Sequence, residues 1–162
     1  MANEQVSHES PDQPESNQSP AVSLAQGGQG VILVIDDEPD VLNSIRRLLI
    51  REGWVVLTAS EPGEGLRSYE THWQAIALVL LDYYMPDLRG DQVWDRLKRI
   101  NPQARVLLMT ASADCIPARM RHGSQSGFIQ KPATRKELLR RIREALNHHD
   151  PPGHAEADDP SE

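Results

Sequence analysis

Three acidic side chains, a hydroxyl and a lysine each follow a short apolar run along this sequence. Asp36 and Asp37 come directly after the first such run, and Asp82 comes after a later one. Thr110 and Lys131 follow two more. Gathered carboxylates repel one another unless a cation neutralises them, and Mg²⁺ prefers oxygen ligands of this kind. If these residues meet, the chemistry they favour is phosphoryl transfer to a carboxylate, with Asp82 as the nucleophile.

The elements that must position these residues alternate along the chain. Apolar, β-branched runs predict five strands over residues 31–35, 54–59, 76–81, 105–109 and 127–130. Helical spacing of apolar residues predicts helices over residues 40–52, 64–71, 91–100, 117–122 and 134–148. Such alternation predicts an α/β fold, with a parallel sheet covered by helices on both faces.

The order of the strands decides whether the polar residues meet. The first, third and fourth runs are the most apolar, which places them at the centre of the sheet. The predicted order is therefore 2-1-3-4-5, that of a flavodoxin-like (βα)5 fold. Ligands bind such sheets at the carboxyl ends of the strands where the winding reverses, so the five polar residues are expected to share one cleft.

The terminal segments differ from the middle in composition. Residues 1–30 and 150–162 hold nine of the 24 acidic residues, and all 17 basic residues lie between them. Both segments are predicted to be disordered acidic tails around one folded domain over residues 31–149. With 15 acidic residues against its 17 basic ones, the middle is too close to neutral for a strongly basic nucleic-acid binder.

Further features of the sequence favour a cytoplasmic protein. The apolar runs are too short to span a bilayer, and the N-terminus has no apolar stretch typical of a signal peptide. Cys115 is the single cysteine, which excludes an intrachain disulfide and suits a reducing compartment.

Each polar residue also has a plainer interpretation. Asp36 and Asp37 could cap the following helix, and Asp82 could start a turn. Thr110 could be a strand-end hydroxyl or a cap, and Lys131 a solvated surface lysine. These interpretations leave unexplained why all five residues follow strands in this order.

Four motifs in order resemble the receiver domain of two-component response regulators. They are Val34-Ile35-Asp36-Asp37-Glu38, Leu81-Asp82-Tyr83-Tyr84-Met85-Pro86 with Gly90, Met109-Thr110-Ala111, and Gly127-Phe128-Ile129-Gln130-Lys131-Pro132. The resemblance covers residues 31–149. It implies a protein that is phosphorylated on Asp82 by the histidine of a partner kinase and catalyses only its own phosphorylation and dephosphorylation.

The resemblance also assigns roles around Asp82. Asp37, Asp82 and the backbone carbonyl of Tyr84 match direct Mg²⁺ ligands, and Asp36 matches an acid that holds the ion through water. Lys131 matches the lysine that pairs with the phosphoacceptor, and its bond to Pro132 is expected to be cis.

Two further pairs of residues match regulatory positions of the family. Thr110 and Phe128 match the switch pair, in which the hydroxyl contacts the phosphoryl group and the aromatic ring turns inward. Tyr84 and Ser112 match variable positions that tune the lifetime of the phosphoryl group.

About 13 residues follow the last predicted helix, too few for an output domain. The sequence therefore predicts a single-domain regulator that signals to a protein partner or passes the phosphoryl group along a phosphorelay. Its phosphodonor would be a sensor histidine kinase or a histidine phosphotransfer protein. The family's usual signalling face is formed by the fourth helix, fifth strand and fifth helix, and here it carries Arg119, Arg121, Arg135, Lys136, Arg140, Arg141 and Arg143. These residues could be solvated helix faces, or they could dock an acidic partner or the chain's own acidic tails.

Three other classes of protein stay open. Haloacid-dehalogenase-like phosphatases use an aspartate at a similar place, but they need a second aspartate two residues later, where this chain has Tyr84. A receiver-like module that acts without phosphorylation usually lacks some of the acids, the threonine or the lysine, and all are present here. Direct DNA binding through the basic last helix is disfavoured by the net charge.

Overall fold

Five parallel strands form the centre of the molecule. The computed structural model describes residues 30–121 and 126–147. The strands are β1 (Val31–Ile35), β2 (Val55–Ala59), β3 (Ile76–Asp82), β4 (Val106–Thr110) and β5 (Ser126–Gln130). They pair in the order β2-β1-β3-β4-β5, and every pair is parallel. The predicted α/β fold and strand order are confirmed.

Helices connect the strands. They are α1 (Pro39–Arg51), α2 (Pro62–His72), α3 (Gly90–Ile100), α4 (Ala118–Arg121) and α5 (Arg135–Asn147), and a 3₁₀ turn (Ala113–Cys115) precedes α4. The largest difference from the predicted boundaries is at α2, which begins two residues earlier because Pro62 suits the first position of a helix. Gly53, with φ at 89°, follows α1 as expected.

Two apolar layers cover the sheet. On one face, α1 and α5 pack against Ile32 and Val34 of β1. On the other face, side chains of α2 and α3 pack against Val31, Leu33 and Ile35 of the same strand. Because both faces are covered, β1 is apolar at every position and fully buried.

Some predictions fall on residues outside the described ranges. The expected disorder of residues 1–30 and 150–162 concerns segments that lie almost entirely outside them, as do the ends of the predicted fourth and fifth helices at His122 and His148. Among the described residues, no helix has both the length and the apolar character needed to cross a bilayer.

Candidate functional site

The register of the central strands brings the three carboxylates together. Ile35 pairs with Leu81 across β1 and β3, so Asp36 and Asp82 emerge side by side at the carboxyl end of the sheet. One carboxylate oxygen from each of Asp36, Asp37 and Asp82 lies within 4.8 Å of the others. Asp36 and Asp82 are buried, whereas Asp37 is partly exposed. The convergence expected from the sheet topology is present in the structure.

Lys131 closes this cluster from the side of β5. Its backbone N–H donates to the carbonyl of Thr110 at 2.7 Å, and its bond to Pro132 is cis. The Nζ atom lies 2.8 Å from Asp82 Oδ1 and 2.9 Å from Asp36 Oδ2. Lys131 therefore bridges two buried carboxylates, which is inconsistent with a solvated surface lysine.

Burial and charge act in opposite directions on these groups. Burial raises the pKa of Asp82 above its ordinary value, although the hydrogen bond and charge of Lys131 oppose this rise. For Lys131, burial alone would lower the pKa, but the hydrogen bonds and charges of Asp82 and Asp36 outweigh it and raise the pKa. The ammonium thus stays charged at neutral pH and neutralises part of the acidic cluster.

The capping interpretation of the first acidic pair is wrong. The N-cap of α1 is Glu38, and it makes no side-chain cap hydrogen bond. Asp36 Oδ1 instead accepts the backbone N–H of Glu38 at 2.9 Å, which fixes the carboxylate in a local turn before the helix begins. Its other oxygen remains on Lys131.

The turn interpretation of Asp82 is correct but incomplete, because the side chain also contacts Lys131. Asp82 Oδ2 accepts the backbone N–H of Tyr84 at 3.2 Å while Oδ1 is held by Lys131, so both oxygens have fixed directions.

Gly90 holds the segment between β3 and α3 close to Asp82. Its N–H donates to the carbonyl of Tyr83 at 2.9 Å. A Cβ atom at Gly90 would lie 2.8 Å from Tyr83 Cα and 2.9 Å from the carbonyl oxygen of Asp82. Since backbone atoms cannot move aside, only glycine fits at this position.

Thr110 is fully buried at the end of β4. Its hydroxyl donates to the carbonyl of Ser112 at 3.0 Å and accepts the Ser112 N–H at 3.2 Å. The hydroxyl is thus turned toward the segment that leads to α4, and its predicted contact with a phosphoryl group stays a prediction.

Tyr84 and Phe128 are the two aromatic residues singled out from the sequence. Tyr84 is half exposed, and its ring meets that of Tyr83 edge to face at 5.1 Å. Phe128 is half-buried at the margin of the core, with the guanidinium of Arg141 5.7 Å from its ring centre. Their predicted tuning and switch roles concern a phosphorylated state and stay predictions.

A groove of about 570 Å³ opens beside Lys131. Val41 and Ile45 of α1 line one side, and Pro132 and Leu138 line the other. It offers an apolar contact surface next to the acidic cluster.

The donor set of the cluster fits Mg²⁺. Three carboxylates from two strand ends supply oxygen ligands only, in the small number that this ion usually takes from a protein. Asp36, Asp37 and Asp82 are the residues that would hold it. The bridge from Lys131 to Asp36 was missed from the sequence because β1 and β5 are not neighbours in the sheet, so no local pattern signals it.

Comparisons with known proteins agree with this fold. The family model described as a response regulator receiver domain matches residues 32–143. A crystal structure of a response regulator receiver domain protein from Clostridium thermocellum is 35% identical, with a TM-score of 0.67; the match covers 73% of this chain and 94% of that one.

Curated relatives include regulators of different lengths. The probable transcriptional regulatory protein TcrX of Mycobacterium tuberculosis is 32% identical over 75% of this chain and 52% of its own length. The chemotaxis protein CheY of Treponema pallidum is 28% identical over 78% of this chain and 90% of its own length. The chain spans about half the length of the first curated relatives it matches. Receiver domains of this family are phosphoacceptor signalling domains that use Mg²⁺, and this chain belongs to the response regulator receiver domain family.

Proposed function

We propose that Asp82 accepts a phosphoryl group from a phosphohistidine of a sensor histidine kinase or a histidine phosphotransfer protein. The observation that carries this proposal is the position of Asp82, buried within a carboxylate cluster and fixed by Lys131 at 2.8 Å. A buried nucleophile beside a fixed ammonium suits an anionic transition state, because the positive charge is in place before the reaction.

The proposed step forms an acyl phosphate. A carboxylate oxygen of Asp82 attacks phosphorus, the P–N bond breaks, and its electron pair returns to the imidazole nitrogen. Lys131 then balances the added negative charge. With Asp37, Asp82 and the Tyr84 carbonyl as proposed direct ligands and Asp36 holding the ion through water, Mg²⁺ would supply positive charge that neutralises carboxylate and phosphoryl oxygens.

The proposed switch starts at Thr110. A phosphoryl group on Asp82 offers its hydroxyl a charged acceptor, which is stronger than the neutral carbonyl of Ser112. Turning to that acceptor would release Ser112 and the segment leading to α4, and Phe128 would move into the space that Thr110 leaves. Tyr84 and Ser112 are proposed to tune how fast water reaches the acyl phosphate.

The protein partners are proposed to use two different surfaces. The phosphodonor would contact the groove between α1 and Pro132, because it opens directly beside Lys131. The downstream target would contact the surface formed by α4, β5 and α5. This output is a protein contact or onward transfer of the phosphoryl group, with no direct DNA binding expected.

Intact-mass measurement after incubation with acetyl phosphate and Mg²⁺ tests the proposal. The wild-type protein is expected to gain the mass of one phosphoryl group, and Asp82→Asn is expected to gain none. Asp87→Asn is the matched control, because Asp87 is an exposed acid of the same loop and asparagine tolerates its positive φ. Equal labelling of wild type and Asp82→Asn would contradict the assignment, as would failure of the wild type to label with both acetyl phosphate and phosphoramidate.

A further inference from the structure

The arginines of α5 form ion pairs with neighbouring acids. Arg140 and Arg141 form ion pairs with Glu137 and Glu144 on the same helix. Arg143 lies 3.6 Å from Glu52, the residue that follows α1. The four arginines of this helix therefore all have a carboxylate partner within the fold, Glu52 being shared with Arg135, whereas Lys136 is exposed.

Exposed positive charge instead collects on the second half of α1. Arg46, Arg47 and Arg51 are all exposed, and in the part of the chain that the structure describes none of them pairs with a carboxylate. Ile50 lies among them, at helical spacings that place all four side chains on one face, and it is 47% exposed. These four residues are called the α1 basic face.

The chain leaves the described structure close to this face. The contact between Arg143 and Glu52 places the last turns of α5 beside the end of α1, and α5 continues for one more turn to Asn147. Residues 148–162 come next and carry five acids and neither lysine nor arginine: Asp150, Glu156, Asp158, Asp159 and Glu162.

We propose that the acidic segment of residues 150–162 binds the α1 basic face of the same molecule. The segment is long enough, since its residues extend to about 3.3 Å each whereas α1 rises about 1.5 Å per residue. Tethering at Asn147 gives an effective concentration of the order of millimolar, so weak charge contacts suffice. This contact goes beyond the proposed phosphoacceptor function and does not depend on it.

Paramagnetic broadening in the full chain tests the contact. The single native cysteine is replaced (Cys115→Ser), and a nitroxide label is attached at Ser161→Cys. The intensities of the backbone amide signals are then measured in ¹H–¹⁵N spectra at low ionic strength. Signals of residues 46–51 are expected to lose half or more of their intensity. They are expected to recover at about 1 M NaCl, where the Debye length is about 3 Å.

Matched variants separate this contact from random encounters. Replacing Arg46, Arg47 and Arg51 by Gln is expected to abolish the broadening. The control combines Arg96→Gln with Arg99→Gln, at exposed positions of α3 on the opposite face of the sheet. These substitutions are expected to leave the broadening unchanged. Three results would overturn the proposal. They are no broadening of the α1 signals, broadening that survives the α1 substitutions, and broadening over α1 only when the label is carried by Ser10→Cys in the N-terminal segment.

Discussion

Lys131 sets the charge balance of the acidic cluster. Asp36 is fully buried and Asp82 nearly so, and a buried carboxylate without a positive partner is costly. The ammonium satisfies both at once, at 2.9 Å and 2.8 Å. The Lys131 ammonium thus stabilises the unphosphorylated fold. In the proposed reaction, the phosphoryl oxygens would compete with the two carboxylates for it.

Replacing Lys131 should therefore cost stability as well as function. In buffer with EDTA, Lys131→Met is expected to lower the free energy of unfolding by about 2 kcal/mol, because two buried carboxylates lose their partner. Adding Asp82→Asn should recover part of this loss by removing one of the charges. Urea denaturation followed by circular dichroism measures both effects.

Lys136→Met is the control for a general loss of positive charge. Lys136 is exposed in the first turn of α5, so its replacement is expected to change the free energy of unfolding by less than about 0.5 kcal/mol. Equal losses in the two variants would contradict the bridging role of Lys131.

The sequence could indicate most of the residues of the site but not the contacts between them. Asp36, Asp82, Thr110 and Lys131 were identifiable because each lies at the end of a strand or directly after it, and parallel strands end at one edge. The second ion pair of Lys131 and the close approach of Gly90 to the backbone of Asp82 depend on contacts between distant segments. Such contacts leave no periodic signal in the chain.

Among the elements, α2 packs against the end of β1 at Gly65. A Cβ atom at Gly65 would lie 2.4 Å from Cδ1 and 2.8 Å from Cγ1 of Ile35, whose side chain is fully buried. Ile35 is the last residue of β1, and Asp36 follows it directly. The glycine therefore allows the helix to pack on the strand end that positions the acidic cluster.

Two glycines of α2 give a matched test of this contact. Gly65→Ala is expected to destabilise the protein by about 1–3 kcal/mol, because the added methyl group overpacks the core against Ile35. Gly63→Ala in the same helix has room, with only the end of the Arg67 side chain nearby at 3.4 Å. It is expected to be neutral or to stabilise by up to about 1 kcal/mol through helix propensity. Thermal and urea unfolding of the pair check the difference, and a Gly65→Ala variant as stable as Gly63→Ala would contradict it.

Helix boundaries show where local sequence information ends. Pro62, Gly53 and the apolar spacing of α1 and α5 are local signals, and the corresponding elements lie where they were predicted, to within two residues. The short helix α4 also begins within one residue of its predicted start, but the 3₁₀ turn before it was not predicted. Arg121 supports this segment by donating to the carbonyls of Ile116 and Asp114, a contact that the sequence pattern does not signal.

For the molecule as a whole, contacts join Thr110 to the segment that leads to α4, and α4 to α3. Ser112, bonded to Thr110, begins the segment that leads to α4. Arg119 of α4 lies 3.2 Å from Asp95 and 5.9 Å from the ring centre of Trp94, both on α3. A movement of α4 that starts at Thr110 would therefore change the surroundings of the Trp94 ring.

Trp94 should report this movement by its fluorescence. The chain has three tryptophans, so Trp54→Phe with Trp73→Phe leaves Trp94 as the single emitter. Because a nearby guanidinium changes the electrostatic field at the indole ring, adding acetyl phosphate and Mg²⁺ is expected to change the emission as Arg119 moves. Asp82→Asn should abolish this change, and Thr110→Val should abolish it while the protein still gains the phosphoryl mass. If Thr110→Val kept the full fluorescence change, the signal would reach α4 by a route that does not include the Thr110 hydroxyl, and the proposed switch would be wrong.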